Sequence, residues 1–181
     1  PTIARHVAEY LFGKIDVIVD GGRCSIGLES TVIDVSGETP LLLRPGGITY
    51  EQLTDVLGVV VQSFNLNEGE TPKSPGVKYT HYSPKAKVVV IKGDFIKYIY
   101  ENFEKYNKIG IISKHKADFP DNCVIRFFGS NPSEYAANLF DHLRSLDNEG
   151  VEVIFTDDVD CKGINHATHN RLNKSAGFNF E

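Results

Sequence analysis

The chain has 181 residues, of which 41% are hydrophobic and 10% aromatic, a composition that suits a folded protein of one large or two small domains. Its net charge of −5 is small and not clustered, which argues against nonspecific nucleic-acid binding by the whole chain but leaves a local basic patch open. No apolar run is long enough to span a bilayer, there is no signal-peptide pattern, and the three cysteines lack metal-ligand spacing, so we expect a cytoplasmic protein with reduced thiols.

The first third of the chain predicts part of an α+β body. Apolar residues recur at helical spacing near the start, short β-branched runs follow, and a turn at residues 36–38 between two of these runs predicts a hairpin. The chain has no methionine and opens at a helix start, from which we expect a fragment of a longer protein. The predicted elements are a helix from Thr2 to Gly13, strands over 15–19, 29–35 and 41–44, and a helix from Thr49 to Gly58.

From residue 85 onward, strands and helices alternate. This order predicts a small α/β domain with a mainly parallel sheet covered on both faces. We therefore divide the chain into residues 1–62, a linker over 63–84 and a second domain over 85–181. The predicted strands of that domain cover 88–91, 109–112, 124–128 and 151–155, and its helices run from Asp94 to about residue 106, from Asn131, and over 163–176.

The linker ends in an unusual stretch, Ser-Pro-Gly-Val-Lys-Tyr-Thr-His-Tyr-Ser-Pro at residues 74–84. Its prolines favour an extended, stiff backbone, yet it carries Tyr79, His81 and Tyr82 close together. In one interpretation the rings only pin the linker to a domain surface. In the other, the stretch is a lid that covers a ligand and excludes water.

Two further places could bind an anion or a nucleotide. Residues 21–31 combine glycines with small hydroxyl residues ahead of a strand, which would let backbone amides approach a ligand, although a loop with a bulge explains the same pattern. Arg44 ends an apolar strand just before Pro-Gly-Gly, and its guanidinium is either a solvated strand end or a phosphate contact. We find no nucleophile–base pair and no metal-ligand cluster, so no catalytic side chain and no metal ligand is assigned.

Three motifs in order carry a family resemblance. They are Gly-Gly-Arg-Cys-Ser-Ile-Gly-Leu-Glu-Ser-Thr-Val-Ile-Asp at 21–34, Leu-Arg-Pro-Gly-Gly-Ile-Thr at 43–49, and the linker stretch at 74–84. Together they closely resemble the long, two-domain form of threonylcarbamoyl-AMP synthase, and the last predicted helix is similar to the end of that family's C-terminal domain. Val77, where the family usually has Met, departs from the pattern without touching a proposed contact.

The resemblance implies the end of a YrdC-type catalytic domain, an extended linker and a Rossmann-like domain. It implies a nucleotidyltransferase that converts ATP, L-threonine and bicarbonate into threonylcarbamoyl-AMP and pyrophosphate, with Mg²⁺ accompanying ATP, for the threonylcarbamoyladenosine modification of tRNA. By matching motif, Ser30 and Thr31 are expected at the threonine substrate, Arg44 and Tyr79 at the nucleotide, and His81 and Tyr82 in the lid over the site.

The sequence leaves other functions open. The chain could be a non-catalytic module whose α/β domain binds a ligand or partner and regulates a separate catalytic domain. Binding of tRNA or of tRNA-modification proteins is a further expectation, although residues 1–62 hold little of a basic patch. Because the first half of the catalytic domain is not in this sequence, we expect the chain alone to be inactive.

Overall fold

The computed structural model describes residues 1–62, 84–177 and 180–181, which form two parts. The first part has two helices, α1 (Ala4–Leu11) and α2 (Tyr50–Leu57), and three strands, β1 (Val32–Asp34), β2 (Leu41–Arg44) and β3 (Val61–Gln62). β1 pairs antiparallel with β2, which confirms the predicted hairpin, and β2 pairs parallel with β3. Thr49 caps α2 through a reciprocal capping box with Gln52, as the sequence favours.

The strand predicted over residues 15–19 is wrong. This segment has no regular structure, and Val17 and Val19 are 74% and 88% exposed. A β-branched run becomes a strand only when its backbone pairs with a neighbour, and among the described residues no strand lies beside it. The predicted strand over 29–35 is also shorter than expected, because the ladder with β2 begins only at Val32 and the carbonyl of Ser30 accepts from the Arg44 side chain instead.

The second part is an α/β sandwich around a four-stranded parallel sheet, which confirms the predicted fold class. Its strands are β4 (Lys87–Ile91), β5 (Ile109–Ser113), β6 (Cys123–Phe127) and β7 (Val153–Asp157), in the spatial order β4-β7-β5-β6. Its helices are α3 (Phe95–Asn102), followed by a 3₁₀ turn, α4 (Pro132–Asn148) and α5 (Ile164–Ser175). Asp94 and Asn131 cap α3 and α4 as predicted.

Each face of this sheet buries its own apolar core. On one face, the core combines Phe95 and Ile99 of α3 with side chains of the sheet. On the other face, α4 and α5 pack together, and the ring of Tyr135 is fully buried in a stack on Phe128. In the parts of the chain that the structure describes, no helix is long and apolar enough to cross a membrane.

The outer side of α4 and α5 is the surface on which the first part of the chain docks. Asp141 of α4 accepts from Arg23 at 2.9 Å and lies 3.1 Å from Nε2 of His6, a side chain that is only 1% exposed. Burial by itself would raise the pKa of the Asp141 carboxyl, but Arg23 and His6 together outweigh it and lower that pKa. Buried Gly27 lies directly against the backbone of α4. The two parts therefore meet through polar contacts, of which the His6–Asp141 contact is partly buried and the Arg23–Asp141 contact is exposed, and through the close approach of Gly27 to α4.

His142, the next residue along α4, is expected to make the free energy of unfolding fall in acid. Its Nδ1 is buried and has no hydrogen-bond partner among the described residues, and burial lowers its pKa to about 4. Between pH 6.5 and pH 4 the imidazole of His142 binds a proton in the unfolded chain but stays neutral in the folded chain. The free energy of unfolding therefore falls as pH falls. On acidification, the free energy of unfolding of His142→Leu should therefore fall by about 2 kcal/mol less than that of the parent. One such group contributes a slope of at most about 1.4 kcal/mol per pH unit.

Urea unfolding at pH 7.5 and pH 4.5 measures this effect. The free energy of unfolding should drop more for the parent protein than for His142→Leu, because only the parent carries the buried imidazole of His142. Equal drops in the two proteins would show that His142 does not titrate in this way.

Candidate active site

The candidate active site lies where β1 begins and β2 ends. Ser30 and Thr31 immediately precede β1, and Arg44 is the last residue of β2. Because the two strands are antiparallel, with Val32 opposite Arg44, the hairpin brings these three side chains to the same edge. The structure therefore unites three of the residues that sequence reasoning selected.

Arg44 bonds directly to Ser30. Its Nε and Nη2 both donate to the carbonyl oxygen of Ser30, at 3.2 and 3.0 Å, and Nη2 also lies 3.4 Å from the Ser30 hydroxyl. A guanidinium fork holds such an acceptor in a fixed geometry. Ser30 is exposed, so its hydroxyl and the charge of Arg44 are presented side by side at the surface.

Thr31 has a different environment. Its hydroxyl donates to the carbonyl of Ile48 at 2.6 Å and accepts from the amide of Ile48 at 3.0 Å. These two bonds clamp the Pro-Gly-Gly turn after β2 onto the start of β1. A contact between Thr31 and a substrate stays a prediction.

Position 46, in the turn after Arg44, has room only for a glycine. A side chain there would overlap backbone atoms of Glu29, Ser30 and Thr31. Only a residue without Cβ lets the turn lie this close to the Ser30 segment. The close approach fixes the distance between Arg44 and Ser30.

The site is positively charged on the side that faces α5. Glu29, the residue before Ser30, pairs with Arg171 of α5. Burial by itself would raise the pKa of the Glu29 carboxyl, but Arg171, a backbone hydrogen bond and Arg44 together outweigh it and lower that pKa. Burial, together with Arg171 and Arg44, lowers the pKa of Lys174 to about 8, although Glu29 opposes the shift. Arg171, Arg44 and Lys174 therefore interact electrostatically with one carboxylate beside Ser30, and this excess of positive charge favours a bound anion.

Sequence reasoning missed Glu29 and Arg171. They are 142 positions apart, and no spacing rule connects a loop residue with a helix residue over that distance. Tyr79, predicted at the nucleotide, and His81 and Tyr82, predicted in the lid, lie outside the described residues. Their place over the site stays a prediction.

The carboxyl edge of the parallel sheet is a second place where a ligand could bind, since ligands of open α/β sheets bind there. At this edge Ser113 donates to Asp157 at 2.5 Å, the amide of Lys114 donates to the same carboxylate at 3.2 Å, and His115 lies 3.2 Å from its other oxygen. Ser113 and Asp157 are buried, His115 is exposed, and these polar groups already bond to one another, which is typical of a structural network. The hairpin edge is therefore the better candidate site.

The described residues hold no group of three or more His, Cys, Asp or Glu side chains that could bind a metal ion.

The first family model that matches is described as "Threonylcarbamoyl-AMP synthase, C-terminal domain" and covers residues 48–177. The second is described as "Telomere recombination" and covers residues 1–46. The two matches meet within the turn that follows Arg44.

Curated relatives match over almost the whole chain. Threonylcarbamoyl-AMP synthases of Pyrococcus abyssi and Bacillus subtilis are 40% and 38% identical over 98% of this chain, and that of Schizosaccharomyces pombe is 36% identical over all of it. The matches cover 54%, 53% and 50% of those proteins, so the chain spans about half the length of its curated relatives.

The fold has a solved counterpart. The crystal structure of P. abyssi Sua5 complexed with L-threonine superposes with a TM-score of 0.89 at 39% sequence identity. The match covers 99% of this chain and 55% of that one. Both parts of the described structure therefore share the arrangement found in that protein.

Proposed function

The chain belongs to the threonylcarbamoyl-AMP synthase family, and we propose that the protein carrying it is a nucleotidyltransferase that forms threonylcarbamoyl-AMP and pyrophosphate from L-threonine, bicarbonate and ATP. The single observation that supports this most is the Ser30–Arg44 pair at the exposed edge of the hairpin. It combines a hydroxyl suited to an amino-acid substrate with a guanidinium suited to phosphate oxygens. The threonine bound to the P. abyssi protein supports the same proposal.

The proposed reaction has two steps. The amine of threonine and bicarbonate give a carbamate with loss of water. A carboxylate oxygen of that carbamate attacks the α-phosphorus of ATP, a new P–O bond forms, and the bond to pyrophosphate breaks. The protein forms no covalent intermediate and acts by positioning the reactants and stabilising charge on the phosphoryl group.

Each residue of the site has a stated role in this proposal. Ser30, with Thr31 beside it, binds threonine, and Arg44 binds the nucleotide phosphates. Tyr79 contacts the nucleotide, and His81 and Tyr82 complete a lid that keeps water from the carbamate and the mixed anhydride. Such species are readily lost to hydrolysis, so a lid would raise the yield of adenylate.

Mg²⁺ is proposed to arrive with ATP. Mg²⁺ keeps several waters and is usually held by phosphates with one or two carboxylates. Glu29, the carboxylate nearest Ser30 in sequence, is paired with Arg171, and the described residues offer no metal-binding cluster. The donor set therefore fits an ion held by the nucleotide, where it would neutralise phosphate charge. We further propose that the product serves tRNA modification.

The test measures pyrophosphate release from ATP by the protein that carries this chain. We expect release to require L-threonine and bicarbonate together, and we expect threonylcarbamoyl-AMP to be detected by mass spectrometry. Omitting threonine or bicarbonate in turn provides the controls. Absence of the adenylate in the complete mixture, or equal release without threonine, would contradict the proposed function.

A further inference from the structure

Arg171 is a cation of α5 that reaches out of the C-terminal part and into the candidate active site. It is only 4% exposed. Its Nε donates to Oε2 of Glu29 at 2.5 Å, and its Nη2 donates to the carbonyl oxygen of Pro45 at 3.1 Å. Its third nitrogen, Nη1, donates to the side chain of Asn170 at 2.8 Å, which orients the guanidinium from its own helix.

The two acceptors flank the residues assigned to the substrates. Glu29 immediately precedes Ser30, and Pro45 immediately follows Arg44. One rigid guanidinium therefore links the segment before β1 with the segment after β2. Within the same two segments, Arg44 donates to the carbonyl of Ser30. Two arginines from different parts of the fold thus fix the same pair of segments.

Stability alone is a poor explanation for this arrangement. A buried ion pair often contributes little net stability, because removing both charges from water offsets their attraction. What a guanidinium offers in addition is a planar set of donors that binds two acceptors in fixed directions, which a lysine cannot reproduce. The contacts of Arg171 are of this kind, since it binds one carboxylate and one carbonyl at once.

We propose that Arg171 is a positioning residue, through which the docked C-terminal domain sets the spacing between Ser30 and Arg44. The inference rests on the proposed function of that pair. Arg171 bonds to neither Ser30 nor Arg44 and acts only through Glu29 and Pro45. The C-terminal domain thereby contributes to the reaction, because Ser30 and Arg44 take the required spacing only when α5 lies against the hairpin.

The test compares Arg171→Met, Arg171→Lys and the matched control Arg126→Met in the full protein. Arg126 is a partly buried arginine of the same domain that pairs with Glu149, away from the hairpin. We expect Arg171→Met to lower kcat/KM for threonine about 10- to 100-fold, since small misplacements of reacting groups have effects of that size. Arg171→Lys should recover part of the loss through Glu29, and Arg126→Met should retain parental kinetics.

Hydrogen exchange separates the inference from the proposed function. In Arg171→Met, peptides covering residues 29–48 should exchange faster than in the parent, while peptides of β4 and β7 keep their protection. Unchanged exchange over 29–48, or a loss of activity equal to that of Arg126→Met, would overturn the positioning role. If the parent itself forms no adenylate, the proposed function fails, and the exchange result still decides whether Arg171 orders the Ser30 and Arg44 segments.

Discussion

Replacing Arg44 by alanine is expected to lower threonine-dependent pyrophosphate release about 100-fold or more. The guanidinium both binds the carbonyl of Ser30 and presents a positive charge at the exposed edge of the hairpin. Loss of one group that stabilises developing charge typically reduces kcat by 10²- to 10³-fold. Here the same substitution also releases the Ser30 segment, so we expect kcat to fall and KM for threonine to rise.

Two further variants show which of these roles matters more. Arg44→Lys keeps the charge but cannot place two donors on the Ser30 carbonyl, so it should give an intermediate loss. Lys97→Ala removes a cation that is 69% exposed on α3, away from the hairpin, and it should leave turnover unchanged. If Arg44→Ala retained parental turnover, the assignment of Arg44 to the nucleotide phosphates would be wrong.

The sequence predicted those features that depend on neighbouring residues. The hairpin followed from two apolar runs with a turn between them, and the caps of α2, α3 and α4 from a Thr, Asp or Asn at the right offset. The pairing of β1 with β2 was enough to bring Ser30 close to Arg44. The family resemblance selected Ser30 and Thr31, and the locally predicted hairpin explains why they lie beside Arg44.

Features that depend on distant partners escaped prediction. Residues 15–19 have the composition of a strand, yet composition cannot supply the neighbouring strand that a ladder needs. The Glu29–Arg171 pair depends on how the two parts dock, which neither segment encodes alone. The same holds for His6 and Arg23 on Asp141. The missing information is the geometry of the interface, not the character of the residues.

Gly27→Ala is expected to destabilise the interface between the two parts of the chain more than a substitution on the protein surface would. Gly27 is buried and has a φ of +72°, a conformation that costs other residues about 1–2 kcal/mol. A side chain there would also overlap backbone atoms of Ala137 in α4. The helix cannot yield easily, because its opposite side packs in the core through Leu139 and Leu143. Overpacking of this kind costs a further 1–3 kcal/mol or so.

Gly13→Ala is a matched control that isolates the overlap from the backbone strain. Gly13 has the same φ of +72°, but an added Cβ would meet no atom within 4 Å. The midpoint of urea unfolding should therefore fall for both variants and fall further for Gly27→Ala. Because Gly27 lies between Arg23 and Glu29, its displacement should also weaken the Arg171–Glu29 contact and lower adenylate formation, whereas Gly13→Ala should retain activity. Equal midpoints and equal activities in the two variants would show that the close approach of residue 27 to α4 does not hold the two parts together.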